Sequence, residues 1–159
     1  YMSLVWYRNT AMSSLFFGKK GVGRVCLDFW PVLKGPKGMI WIYNRYPEST
    51  CAQRRPSMQK MVWPGPKGAA TTIRYEAFLE GIQDAEAVIA VSEAVDRHAA
   101  ALGDELANEC RKVLVDIIRY QTFGRDRTPT RPVHHGWQDC SRRLYECAAK
   151  AGAKLGAKR

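Results

Sequence analysis

The segment Asp28-Phe29-Trp30 is the first place in this chain where side chains of the right types lie together to recognise a sugar. A carboxylate accepts hydrogen bonds from hydroxyl groups, and a flat aromatic face can pack on the C–H side of a pyranose ring. The segment ends a short β-branched and aromatic run that stops before Pro31, so a buried strand is expected to end here. The alternative interpretation places both rings in the core and makes Asp28 the cap of a turn.

A second candidate is the loop of residues 43–49, which mixes aromatic rings with one cation and one anion. Such a loop could line a carbohydrate cleft, with Arg45 holding a carboxylate or hydroxyl groups. The alternative is a solvated loop in which Arg45 and Glu48 form a pair worth under ~1 kcal/mol. The candidate substrate contacts in the loop are Tyr43, Arg45, Tyr46 and Glu48.

The third candidate lies at residues 58–63, a possible strand that ends at Trp63 before the turn-forming Pro64 and Gly65. From Thr71 onward the apolar period changes to that of an α-helix. Thr72 is the expected N-cap of this helix. The apolar residues that recur on one face are Tyr75, Phe78, Ile82, Ala85 and Ile89.

The amino-acid sequence of residues 61–86 resembles the C-terminal end of the barrel in glycoside hydrolase family 123 and its uncharacterised planctomycete-type relatives. In that family a "YPG…G…SIR-E…EGI-D-E" phrase closes the barrel and starts its last helix. A looser likeness extends upstream to about residue 20. The residues that match the phrase are Trp63 (in the tyrosine place), Pro64, Gly65, Gly68, Ile73, Arg74, Glu76, Glu80, Gly81, Ile82, Asp84 and Glu86.

The resemblance implies an α/β fold: the C-terminal part of a (β/α)8 barrel, followed by a small helical appendage. A complete barrel typically needs ~250 residues, so the 159 residues here are expected to be a piece of a larger protein. Residues 1–96 would be the barrel portion. Residues 97–159 would be a helical extension with a basic tail.

The resemblance also implies where catalysis takes place. Family 123 enzymes use an adjacent Asp–Glu pair together with the acetamido group of the substrate, and that pair precedes the matched region. The dipeptide Asp104-Glu105 lies after the last barrel helix and is not given this role. We therefore expect no catalytic residue in this chain.

The charged residues of the phrase invite a paired-carboxylate interpretation as well. Glu76, Glu80 and Asp84 lie four residues apart, on one side of the helix, so they repel one another unless a cation pairs with them. Because helix flanks in barrels face outward or pack on neighbours, a structural role is favoured for these residues, for Arg74, and for Pro64, Gly65 and Gly81.

Three further helices are expected from apolar spacing and end signals: over residues 3–17, after Leu102-Gly103-Asp104, and from about Trp137 to Leu155. The inward residues predicted for the last two are Leu106, Cys110, Val113, Ile117 and Ile118, and Cys140, Leu144, Cys147, Ala148 and Ala151. The five cysteines show no metal-ligand spacing and are interpreted as reduced and structural. No metal or cofactor is expected.

The net charge of +10 raises the question of nucleic-acid binding. Residues 1–70 carry +9, residues 71–124 carry −5 and residues 125–159 carry +6, so an acidic helical region divides the positive charge. No nucleic-acid-binding motif accompanies it. No apolar run is long enough to span a membrane. The compartment is left open, with an extracellular or periplasmic location implied only by the family.

The sequence leads to a hypothesis with two rivals. The first is a piece of a glycoside-hydrolase-like protein that acts on a glycan, such as an N-acetylhexosaminide, with its acid/base pair upstream. The second is a non-catalytic carbohydrate-binding or scaffold module, and the third a basic nucleic-acid-binding domain. The expected partners are a carbohydrate and either the remainder of a parent chain or a second copy.

Overall fold

The computed structural model describes residues 4–21, 32–33, 39–40, 61–123 and 136–156. Its elements, in chain order, are helix α1 (Leu4–Phe16), strands β1 (Val32–Leu33), β2 (Met39–Ile40), β3 (Val62–Gly65) and β4 (Gly68–Thr71), and helices α2 (Ile73–Leu102), α3 (Asp104–Phe123) and α4 (Trp137–Gly156). The four helices lie close to the four helical segments expected from the sequence.

Helix α2 is the centre of the molecule, because α1, α3 and α4 all pack against it. It begins as expected at Thr72, whose side-chain oxygen accepts a hydrogen bond from the Tyr75 amide. It kinks at His98, where the backbone leaves helical geometry, and ends at Gly103, which has a φ of 79°. The predicted domain boundary after residue 96 therefore falls within one helix.

The described strands form no part of a barrel, and the barrel prediction is wrong. β3 pairs with β4 in antiparallel fashion through a two-residue turn, and β1 pairs with β2 in the same sense. A parallel barrel needs a crossover of a dozen or more residues between neighbouring strands. Here the chain reverses at once after Gly65, and Gly68, with a φ of 129°, takes a backbone conformation that favours glycine.

The main core lies among α2, α3 and α4, with Met12 of α1 added. Most residues predicted to face inward on α3 and α4 are buried or packed against this core, although Ile118 is exposed. A smaller cluster joins the hairpin to α1 and α2 through Tyr7, Met61 and Ala77. The described chain is thus a helical bundle with a hairpin at one end.

The buried face of α2 is not the face that the spacing of its large apolar residues predicts. Ile82 and Ile89 are each more than one-third exposed. The residues that point into the bundle are mostly small, with one carboxylate among them: Ala77, Gly81, Asp84, Ala87, Val88, Val91, Ala94 and Val95. Small side chains allow the neighbouring helices to approach α2 closely.

The contact between α3 and α4 contains two buried thiols, and burial raises the pKa of Cys147 to about 12. A group whose pKa is raised on folding contributes stability that is fully present below its unfolded pKa of 9.0 and is lost as pH rises toward the folded value. Under reducing conditions, we expect the free energy of unfolding to fall above pH 9 by up to ~1.4 kcal/mol per pH unit from this group.

Urea unfolding at several pH values between 9 and 10.5 measures this slope. Cys147→Ala should make the slope shallower, with Cys110 and Tyr145 still contributing, whereas Val113→Ala, another core truncation on the same interface, should leave it unchanged. Equal slopes in all three proteins would contradict the assignment.

Candidate functional site

Helices α1 and α2 meet at an unusually close crossing. A Cβ atom built on Gly81 would overlap the carbonyl group of Arg8, so only glycine fits at this position of α2 without movement of α1. The crossing places the Arg8 side chain, only 6% exposed, in the interior between α1, α2 and α4. The glycine of the sequence phrase thus makes room for a buried cation.

The Arg8 guanidinium is held by two carboxylates of α2. One nitrogen pairs with Glu80, whose side chain is half exposed, and the other lies 2.6 Å from the Asp84 carboxylate, which is buried. Its second nitrogen also donates to the Ser141 hydroxyl at 2.8 Å, and its carbon lies 4.0 Å from the centre of the Trp137 ring. Removal of a partner from such a buried pair leaves a charge without compensation.

Asp84 connects this cation to helix α4. One of its oxygens accepts from the Ser141 hydroxyl at 3.1 Å and the other from the Tyr145 hydroxyl at 2.8 Å. Partial burial of Tyr145, which is still 40% exposed, together with its hydrogen bond to Asp84, raises its pKa to about 12. A tyrosine with that pKa stays protonated at neutral pH and acts as a fixed hydrogen-bond donor. We call these residues the Arg8 network: Arg8, Glu80, Asp84, Trp137, Ser141 and Tyr145.

A cavity of about 20 Å³ lies beside the Arg8 network. That is room for about one water molecule, whereas sites for small molecules measure ~300–1,000 Å³. No buried side-chain nitrogen or oxygen in the described ranges lacks a hydrogen-bond partner. The arrangement therefore holds three helices together by charge and hydrogen bonding, and it leaves no space for a sugar ring.

A wider, open groove of about 760 Å³ lies at the opposite end of the bundle, between the start of α3 and the end of α4. Asp104 and Glu105 line it from the first turn of α3 and are exposed. Negative charge at a helix start is stabilising in itself. Glu109 in the same groove is paired with Lys150 at 2.7 Å.

Exposed aromatic side chains lie near the hairpin. Trp6 is 48% exposed, and its ring meets the buried Tyr7 ring edge-on at 5.1 Å. Tyr7 packs in the cluster with Met61. Trp63, which is 46% exposed, lies on β3, two residues after the buried Met61.

The structure brings together only part of the predicted site. Arg74 and Glu76 lie on the first turn of α2, which follows the hairpin that carries Trp63, while Glu80 and Asp84 belong to the Arg8 network. Pro64 and Gly65 are the last residues of β3. The remaining predicted substrate contacts lie outside the described residues: Asp28, Trp30, Tyr43, Arg45, Tyr46 and Glu48.

Most of the Arg8 network was missed from the sequence, because Arg8, Ser141 and Tyr145 are not among the predicted site residues. The signal that was missed is charge pairing between helices. Carboxylates four residues apart on one helix repel one another unless a cation pairs with them, and Arg8 is a cation on a helix that has no acidic residue of its own.

Comparisons with known protein families, with curated proteins and with solved structures give no match for this chain. The described ranges contain no cluster of three potential His, Cys, Asp or Glu ligands for a metal ion. None of the helices within those ranges combines the length and apolar character that a membrane crossing requires.

Proposed function

We propose that this chain is a non-catalytic helical module of a glycoside-hydrolase-like protein, and that the exposed Trp63 on its hairpin contacts a glycan. The substrate class of the whole protein would be an N-acetylhexosaminide, as the resemblance to family 123 suggests. The acid/base pair would lie elsewhere in that protein.

The proposal rests on a difference in exposure within the segment that resembles the family: its carboxylates are engaged inside the bundle, whereas its tryptophan lies at the surface. The carboxylates of Glu80 and Asp84 bind Arg8 inside the bundle, so they are engaged in holding helices. Trp63, at the other end of the phrase, is exposed on the hairpin. An aromatic ring on a surface can stack on a sugar ring, and Trp is a large, rigid contact of this kind.

Charged groups near the hairpin support a polar ligand. Arg74 and Glu76 start α2 directly after β4, and Lys67 occupies the hairpin turn. Sugar hydroxyl groups both donate and accept, so a surface that offers aromatic rings beside charged groups suits them better than it suits a purely apolar partner.

The proposal is tested by titrating the full chain with N-acetylglucosamine oligosaccharides while following tryptophan fluorescence and, in parallel, heat release. We expect a dissociation constant of about 1 mM or below, and we expect Trp63→Ala to weaken binding by roughly tenfold, about 1.4 kcal/mol. Val115→Ala is the control, because Val115 is similarly exposed but lies on α3.

Two results would contradict the proposal. The first is the absence of binding, or equal binding by Trp63→Ala, which would remove the glycan contact. The second is release of the chromophore from an aryl N-acetylhexosaminide by this chain alone, which would show that the module is catalytic.

A further inference from the structure

Helices α3 and α4 run antiparallel in a register that two ion pairs define. Lys150 pairs with Glu109 at 2.7 Å, and Arg143 pairs with Asp116 at 2.8 Å. In an antiparallel pair, rising residue numbers on one helix lie opposite falling residue numbers on the other. Cys147, between the two cations, therefore lies within about two residues, or ~3 Å along the helix axes, of the level of Cys110, between the two anions.

The two cysteines face each other across the core. Cys110 is 0% and Cys147 is 1% exposed, both belong to the main core cluster, and each thiol shifts the pKa of the other. On one side of them the buried residues are the small Ala107 and Ala151. Small residues at a helix contact allow the two backbones to approach closely.

The approach is compatible with a covalent bond. Helix axes pack about 8–10 Å apart, and Cα atoms lie about 2.3 Å from each axis. Directly facing residues can thus have Cα atoms within the ~4.4–6.8 Å that a disulfide requires. The other cysteine of α4, Cys140, lies seven residues earlier, about 10 Å away along the helix axis. It is not level with Cys110.

We propose that Cys110 and Cys147 form an intramolecular disulfide that fastens α3 to α4 under oxidising conditions. The oxidant is a low-molecular-weight disulfide such as oxidised glutathione. One cysteine thiolate attacks a glutathione sulfur, forming a protein–glutathione mixed disulfide and releasing one glutathione thiolate. The second cysteine attacks the protein sulfur of that mixed disulfide and releases the second glutathione; the two protons pass to the released thiolates.

The bond would close a loop of the chain that includes the connection between α3 and α4. A cross-link across such a loop stabilises the folded state mainly by restricting the unfolded chain. Because both thiols are buried, the first attack requires a local opening of the helix contact, so formation should be slow. Once formed, the disulfide would be protected from reduction by the same burial.

The test uses the full chain with Cys26→Ser and Cys51→Ser, which leaves the three helical cysteines. The folded protein is incubated in oxidised and reduced glutathione, free thiols are alkylated, and peptides are mapped by mass spectrometry without reduction. We expect a peptide pair joined through Cys110 and Cys147, a mass lower by about 2 Da, and a thermal midpoint higher by about 5–15 °C.

Two further variants make the result decisive. Cys140→Ala should keep both the cross-link and the higher midpoint, whereas Cys110→Ala should lose both. A cross-link through Cys140, or a Cys110–Cys147 bond that forms only in denaturant, would overturn the proposal. So would its absence from a protein that circular dichroism shows to be folded.

Discussion

Replacement of Gly81 with alanine is expected to lower the free energy of unfolding by up to about 2 kcal/mol, although alanine is the better helix former. The added Cβ would overlap the Arg8 carbonyl group, which is backbone and cannot rotate away. Forcing volume into a tightly packed contact typically costs ~1–3 kcal/mol. That cost exceeds the ~1 kcal/mol that alanine gains over glycine within a helix. Urea unfolding monitored by circular dichroism measures the change.

Gly152→Ala is the matched control for this prediction. Gly152 lies within α4, and a Cβ atom there would meet nothing within 4 Å. The same substitution should therefore raise the free energy of unfolding by about 0.5–1 kcal/mol. Effects of the same sign at the two glycines would mean that α1 does not cross α2 at Gly81.

Replacement of Asp84 with alanine is expected to cost about 3 kcal/mol of stability. The change leaves the buried Arg8 guanidinium with Glu80 as its remaining carboxylate, and it removes the acceptor of the Ser141 and Tyr145 hydroxyl groups. Removing one partner of a buried ion pair lowers the free energy of unfolding by ~3–5 kcal/mol. Because Glu80 remains, we place the value at the low end.

The control for Asp84 is Asp139→Ala on α4. Asp139 is paired with Arg142, but both side chains are more than half exposed. Exposed pairs contribute ~0–1 kcal/mol, so this variant should differ from the parent protein by less than about 1 kcal/mol. Equal losses at the two aspartates would contradict a structural role for the Arg8 network.

The helices could be predicted from the sequence because their signals are local. The Thr72 cap, Gly103 and the apolar spacing of α3 and α4 act over a few residues. The arrangement of the strands is not local. A short apolar run before Pro64 fits a barrel strand as well as the first arm of a hairpin, and only the partner strand distinguishes them. The family resemblance favoured the barrel, and the antiparallel pairing corrects it.

The packing face of α2 could not be predicted from the sequence, for a different reason. Periodicity finds large apolar residues such as Ile82 and Ile89, which are exposed here. The packing face contains Gly81, which is buried because α1 approaches α2 closely there, and Asp84, which is buried because it pairs with Arg8. Neither contributes to an apolar pattern. A charged residue enters a core only with its partner, and that partner is 76 positions away in the sequence.

The most direct test of the account is a double-mutant cycle between Arg8 and Asp84. It compares the parent protein, Arg8→Met, Asp84→Leu and the double variant by urea unfolding. If the two charges pair inside the bundle, each single variant should be destabilised by about 3 kcal/mol, and the double variant should be more stable than the sum of these losses predicts by at least about 2 kcal/mol. Losses that add to within about 0.5 kcal/mol would show that the two residues do not interact, and would contradict the account.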